Sequence, residues 1–156
     1  MSGEKKKIRA VSLPQIVMMA AFATTGFLFP LTDVDGPLIK SITNFIGGCG
    51  LILFVYCVFL IYFFNRGKRL ITDGPYKYTR HPMYTGLFLM DLSYWVPLPA
   101  NKLFYLIQVV FIVCLIIAAY FQEQETIARF GEEAKEYYKK TPRLFFCYPF
   151  VKRDNP

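Results

Sequence analysis

SITNFIGGCGLILFVYCVFLIYFF, residues 41–64, runs for 24 residues without a charged side chain. A helix needs about 20 mostly apolar residues to cross the hydrocarbon of a bilayer, and this one is apolar on every side rather than along one stripe. That pattern fits a span, not the surface helix of a soluble domain. LFYLIQVVFIVCLIIAAYF, residues 103–121, reads the same way. Two further segments extend the pattern: LPQIVMMAAFATTGFLFPL at 13–31, and PMYTGLFLMDLSYWVPL at 82–98, which is shorter and carries Asp91. Together they explain how a chain of 156 residues comes to be 54% hydrophobic and 18% aromatic, a composition unlike that of soluble domains. The expected fold is all-α, a polytopic membrane helical bundle of about four transmembrane helices with a C-terminal cytoplasmic helix.

Charge placement orients such a bundle. Lys5, Lys6, Lys7 and Arg9 precede the first span; Arg66, Lys68, Arg69, Lys77 and Arg80 lie between the second and third. Seven more basic residues follow the fourth, so that 16 of the 18 fall on one side and only Lys40 and Lys102 on the other. Positive charge stays on the cytoplasmic side, which puts both termini there. The net charge of +7 therefore reads as topology and not as nucleic-acid binding. An endoplasmic reticulum membrane or a bacterial inner membrane fits equally. The first apolar run is long and ends in no clear small-x-small site, so it reads as a span and not a cleaved signal.

Three regions follow: a basic cytoplasmic tail (1–12), the first two transmembrane helices (13–64), and a region with two more spans and a C-terminal helix (65–156). Residues 32–40, TDVDGPLIK, read as an outer turn punctuated by Gly36-Pro37. GGCG at 47–50 sits too deep in a span for a phosphate loop, and small residues there suit close helix packing. No GxGxxG follows a strand. Cys49, Cys57, Cys114 and Cys147 form no CxxC and no cluster with histidine, so neither a disulfide framework nor a metal site is expected. After the fourth span, QEQETIARFGEEAKEYYKK reads as a helix leaving the membrane, with Glu132 facing Lys135. Pro142 ends it, and the aromatic RLFFCYPF (143–150) suits the membrane interface.

Chemistry concentrates in GPYKYTRHPMYTG, 74–86, which holds the chain's single histidine. His81-Pro82 opens the third span, because proline is favoured where a helix begins. Arg80 and His81 then stand at a helix N-terminus, where free N–H groups and a guanidinium suit a carboxylate or phosphate. Tyr76, Tyr78 and Tyr84 offer faces for a flat base or a cation. The same residue types also serve as ordinary interfacial anchors. Gln122, Glu123 and Glu125 come where the fourth span reaches the same membrane face; Gln122 and Glu125 share a helix face and Glu123 points elsewhere. These could bind an ammonium or sugar hydroxyls, or form an exposed acidic turn. Asp91, on a face with Tyr84, Leu87, Phe88 and Trp95, is either functional or a hydrogen-bonded structural group.

The string G-P-Y-x-Y-x-R-H-P-x-Y-x-G, followed after one further span by FGEEAKEYYKKTPR, resembles the isoprenylcysteine carboxyl methyltransferase and phospholipid methyltransferase family of membrane enzymes. The likeness covers about residues 66–146. It implies S-adenosylmethionine as cofactor, lined by Leu70, Ile71, Tyr76, Arg80, His81, Pro82, Met83 and Tyr84, with an acidic turn of Gln122, Glu123 and Glu125 closing the pocket. Arg80 and Glu123 are the expected catalytic positions, and a lipophilic methyl acceptor in the bilayer is the expected partner. Two departures bear on the acceptor. The usual Glu-Glu pair is Gln122-Glu123 here, and CLIIAAYF before it lacks the arginine that the isoprenylcysteine enzymes place there. A lipid-like or isoprenylated-cysteine-type acceptor is expected. Phospholipid amine N-methylation and a non-catalytic membrane subunit are the alternatives. Carboxylate methylation needs no general base, whereas an amine or thiol could use Glu123 or Glu125.

Overall fold

The computed structural model describes residues 13–29, 36–65, 69–97 and 101–144. All regular structure among them is helical. Helix α1 spans Leu13–Leu28, α2 Pro37–Phe59, α3 Pro82–Ser93, α4 Lys102–Phe130 and α5 Glu132–Lys140. A π turn, Leu60–Asn65, continues α2, and a 3-10 turn, Gly74–Lys77, precedes α3. The basic tail 1–12, residues 32–35 of the outer turn, Arg66, Lys68, Cys147 and the aromatic stretch beyond residue 144 lie outside the described residues; the rest of that turn, from Pro37 to Lys40, is instead the first turn of α2.

Local chemistry sets the boundaries. Pro37 and Pro82 stand in the first turns of α2 and α3, where a missing N–H costs nothing. Asn101 caps α4 by accepting the Leu103 N–H through its side chain at 2.9 Å, satisfying one free donor. Gly74, at φ 60°, supplies the left-handed residue that turns the chain toward the 3-10 segment.

Two helices, Pro37–Phe63 and Lys102–Phe130, are long and apolar enough to cross a membrane. The other two expected spans are shorter. α1 has 16 residues and α3 has 12, which at 1.5 Å per residue reach about 24 and 18 Å against a hydrocarbon core of roughly 30 Å. Prolines explain both: Pro30 lies two residues past α1, and Pro97 and Pro99 close behind α3, and the residue before a proline is pushed out of the helical region. The acidic stretch differs in the other direction. Gln122–Glu125 is no turn, because QEQETIAR contains no breaker and α4 runs through it to Phe130. Its 29 residues extend about 44 Å, so its last turns project beyond the apolar layer. The stop is Gly131, at φ 59°.

The helices pack as two pairs, α2 with α3 and α1 with α4. The first pair is very close. A Cβ on Gly50 would meet Gly86 O at 2.6 Å and Met90 N at 2.7 Å, and one on Gly86 would meet Gly50 O at 2.8 Å. Gly50 thus plays the packing part read into GGCG, and the glycine that closes the 74–86 string is its counterpart. Tyr84, Leu87, Phe111, Leu115 and Ala118 form a core with Met18 of α1. The outward faces carry bare apolar side chains, with Phe45 and Ile52 both 72% exposed. A water-soluble monomer rarely leaves such faces open; a lipid surround suits them.

Candidate active site

Where the start of α3 meets the far ends of α2 and α4, a cleft holds about 780 Å³ of space between side chains, part of it open. Leu70, Ile71 and Tyr76 line it from the loop, and Arg80, His81, Met83 and Tyr84 from the opening of α3. α4 contributes Gln122. Eight residues expected around a cofactor therefore converge on one space. Three do not line it. Pro82 is buried in the first turn of α3, Glu125 sits exposed on α4, and Glu123 is buried outside the lining, 4% exposed.

Glu123 binds the protein itself. Arg143 grips both its oxygens, Nε to Oε1 at 2.9 Å and Nη2 to Oε2 at 2.7 Å. Arg80 Nη1 donates to Oε1 at 3.2 Å, and His81 Nε2 stands 3.3 Å from the same atom. Two-point contact between a guanidinium and a carboxylate is among the strongest polar contacts in proteins. The carboxylate thus ties α4 to the loop before α3 and to the segment after α5.

Arg80 carries most of the second seam. Its backbone N–H donates to Pro142 O at 2.9 Å, its Nε to Thr141 O at 2.6 Å, and its Nη2 to Tyr138 O. The guanidinium also lies 4.7 Å from the centre of the Tyr138 ring, within cation–π range. Thr79 Oγ1 donates to Arg143 O at 3.0 Å and the Tyr137 hydroxyl to Tyr76 O at 2.5 Å. These bonds fasten α5 and the segment after it over the loop, so that Tyr137 and Tyr138 become a wall of the cleft. Inside, the Tyr84 ring stacks on His81 at 5.5 Å, and its hydroxyl accepts from Gln15 Nε2 of α1 at 2.9 Å. Burial, with the neighbouring ionisable Cys57, Tyr137 and Tyr84 adding, pushes the Tyr76 phenol well above its usual range. Burial does the same to Tyr137, helped by Tyr138 and opposed by the Arg80 charge. Both remain neutral donors at physiological pH and cannot act as bases.

Several lining residues escaped the sequence reading: Ile61, Arg69, Thr126, Arg129 and Phe130. Arg69 and Arg129 counted only toward topology, as did Arg143. Helical spacing from Gln122 offered the one available signal, since Thr126 and Arg129 lie four and seven residues on and so share its face. The grip of Arg143 on Glu123, 20 residues apart, had no local signature.

An all-helical bundle with apolar outer faces and a polar, aromatic cleft at one end of its long helices fits the class of membrane-embedded helical proteins. A family model described as phospholipid methyltransferase matches residues 44–133, more than half of the chain, and the chain belongs to that family of membrane methyltransferases. No curated protein and no solved structure matches it.

Proposed function

We propose that the chain transfers a methyl group from S-adenosylmethionine to a lipid-like or isoprenylated-cysteine-type acceptor with an anionic head, in the cleft at the start of α3. The observation that carries this reading is the make-up of that cleft: aromatic faces from Tyr76, Tyr84, Tyr137 and Tyr138, apolar walls from Leu70, Ile71 and Met83, and the guanidiniums of Arg69, Arg80 and Arg129, with no carboxylate among the described lining residues. Such residues fit the cofactor. Aromatic faces suit an adenine ring and a sulfonium, and guanidiniums suit an amino-acid carboxylate. When bound, S-adenosylmethionine supplies an electrophilic methyl group. The chain's own part is to orient and to exclude water. Tyr84 is locked by Gln15 and His81, Tyr76 is pinned by Tyr137, and the fastening of α5 closes one side. Positioning of this kind provides much of the rate where no proton need move.

Glu123, held by Arg80, His81 and Arg143, serves in this reading as the brace that sets Arg80 and His81 in place, not as a base. Arg69 and Arg129 provide the counter-charge missing from CLIIAAYF, and an anionic acceptor needs no base. Isothermal calorimetry with S-adenosylhomocysteine on detergent-purified protein tests the proposal, alongside an Ile71→Trp variant that fills the cleft. Micromolar binding by the intact protein, lost in the variant, supports it. A folded protein that binds nothing refutes it and leaves a non-catalytic member of the family.

A further inference from the structure

Away from the cleft, the bundle encloses a polar centre that methyl transfer does not use. Asp91 of α3 and Gln108 of α4 are both 0% exposed, as is Thr25 of α1. Trp95 and Gln108 flank Asp91, and Tyr94 is its titratable neighbour. Neither Asp91 oxygen has a hydrogen-bond partner, and Gln108 Oε1 is equally orphaned. Among the described residues no ion pair involves Asp91. Three unmet acceptors thus lie together inside the bundle.

Thr25 fixes which way the amide points. Its hydroxyl donates to Ala21 O at 3.0 Å, so its oxygen is left to accept from Gln108 Nε2 at 3.3 Å. One amide N–H of Gln108 is therefore spent on α1, and the other N–H and Oε1 remain. An ionised carboxylate would match only the N–H and would repel Oε1. It would also be a charge inside the bundle with no counter-charge, a state that buried groups escape by taking up a proton.

We infer that Asp91 is a proton-binding site: it holds a proton as a neutral carboxylic acid and pairs with the Gln108 side chain through two hydrogen bonds. The acid O–H donates to Gln108 Oε1, and the acid carbonyl accepts the remaining Gln108 N–H, with the Trp95 indole N–H as a second donor. This arrangement satisfies all three orphaned acceptors at once, which a bare carboxylate does not. Its place in the fold gives it a purpose. α3 packs on α2, and α4 on α1, so the Asp91–Gln108–Thr25 chain is a polar link between the two pairs. It lies about 15 Å along α3 from His81, ten residues at 1.5 Å each.

Infrared spectroscopy of the full chain in lipid at neutral pH tests the inference directly. The wild type is expected to show the carbonyl stretch of a protonated carboxylic acid. Asp91→Asn should abolish that band, and Gln108→Leu should keep it but move it to higher frequency as the hydrogen bonds are lost. Asn can form the same two-bond pair with Gln108, so Asp91→Asn should unfold near the wild-type temperature, whereas Asp91→Leu should fall well below it. No acid carbonyl band in the wild type overturns the inference. So does an unfolding temperature that rises with sodium chloride but not with choline chloride in the wild type alone, because that identifies a cation as the guest. Failure of Asp91→Asn to fold, with Asp91→Leu no worse, contradicts the pairing as well. S-adenosylhomocysteine binding plays no part in any of these outcomes.

Discussion

Three glycines of α2 and α3 provide a test whose sign depends on the packing. Replacing a glycine inside a helix by alanine gains about 0.8–1 kcal/mol of helix propensity where there is room. At Gly48 there is room, since a Cβ there meets nothing within 4 Å, so Gly48→Ala should stabilise by up to about 1 kcal/mol. At Gly50 there is none. Its Cβ would stand 2.6 Å from Gly86 O, and to bring that out to the 3.4 Å of ordinary contact α2 and α3 must part by about 0.8 Å. The obstructing atoms are backbone, so no side-chain rotation relieves them. Overpacking costs about 1–3 kcal/mol; set against about 1 kcal/mol of propensity, the net loss is up to about 2 kcal/mol. For a chain of this size that lowers the midpoint by up to about 8 °C. Gly86→Ala should behave alike, with contacts at 2.8 and 2.9 Å to Gly50 O and Phe54 N. Because both substitutions open the same gap, the double variant should lose clearly less than the sum, by at least about 0.5 kcal/mol. Thermal unfolding in detergent, followed by circular dichroism, reads all four proteins. If Gly50→Ala and Gly86→Ala rise as Gly48→Ala does, the two backbones are not in contact and the α2–α3 pairing is wrong.

Other perturbations reach the clasp and the cleft. Glu123→Gln keeps the shape but leaves Arg80 and Arg143 facing a neutral group. Breaking a buried pair costs about 3–5 kcal/mol, and the lower end applies because the Arg143 side chain is 41% exposed; chemical unfolding should show that loss, and a change under about 1 kcal/mol would contradict the clasp. Tyr137→Phe removes the bond to Tyr76 O and should cost about 1 kcal/mol. Because burial holds the Tyr137 phenol above its usual range, its contribution is complete below the unfolded value of about 10 and is lost as pH rises beyond it. The wild type should therefore destabilise more steeply than Tyr137→Phe above about pH 10, and parallel curves would be evidence against the burial of that hydroxyl. Arg129→Gln should raise the KM for an anionic lipid acceptor at least tenfold while leaving S-adenosylhomocysteine binding within about threefold; equal losses in both would assign Arg129 to the cofactor instead.

The fold was legible where one property dominated a long stretch. Residues 41–64 and 103–121 announce spans by the absence of charge, and both appear as long apolar helices. Shorter elements were harder, because the same apolar residues continue past the prolines that end α1 and α3. The acidic stretch reads two ways, as part of a helix leaving the membrane and as an acidic turn; helix propensity and the lack of a breaker before Gly131 decide for the helix, with α4 running through Gln122–Glu125. One wall of the lining, Tyr76, Arg80, His81, Met83 and Tyr84, was readable from the 74–86 string because that string is contiguous. Arg69, Arg129 and Arg143 were not readable in that role, since a basic residue at a membrane boundary looks identical whether it faces water, a cleft or a buried carboxylate.

Only the three-dimensional charge balance separates those cases, and it reshapes what the polar residues of the string do. The most chemical residues of the string, Arg80 and His81, both contact Glu123, while Gly86 serves helix packing and Thr79 holds Arg143 O. Because Arg143 and Arg80 both face the one carboxylate of Glu123, that negative charge is neutralised before it can act on the cleft. The cleft itself is lined by the guanidiniums of Arg69, Arg80 and Arg129 beside neutral aromatic faces, Arg129 lying 5.3 Å from the centre of the Phe130 ring. A positively lined cleft concentrates anions, and a guanidinium matches a carboxylate or phosphate in two-point geometry. A sulfonium in the same space must rely on ring faces instead. Charge and aromatic surface are thus divided between the two reactants, and it is the buried carboxylate outside the cleft that makes the division possible.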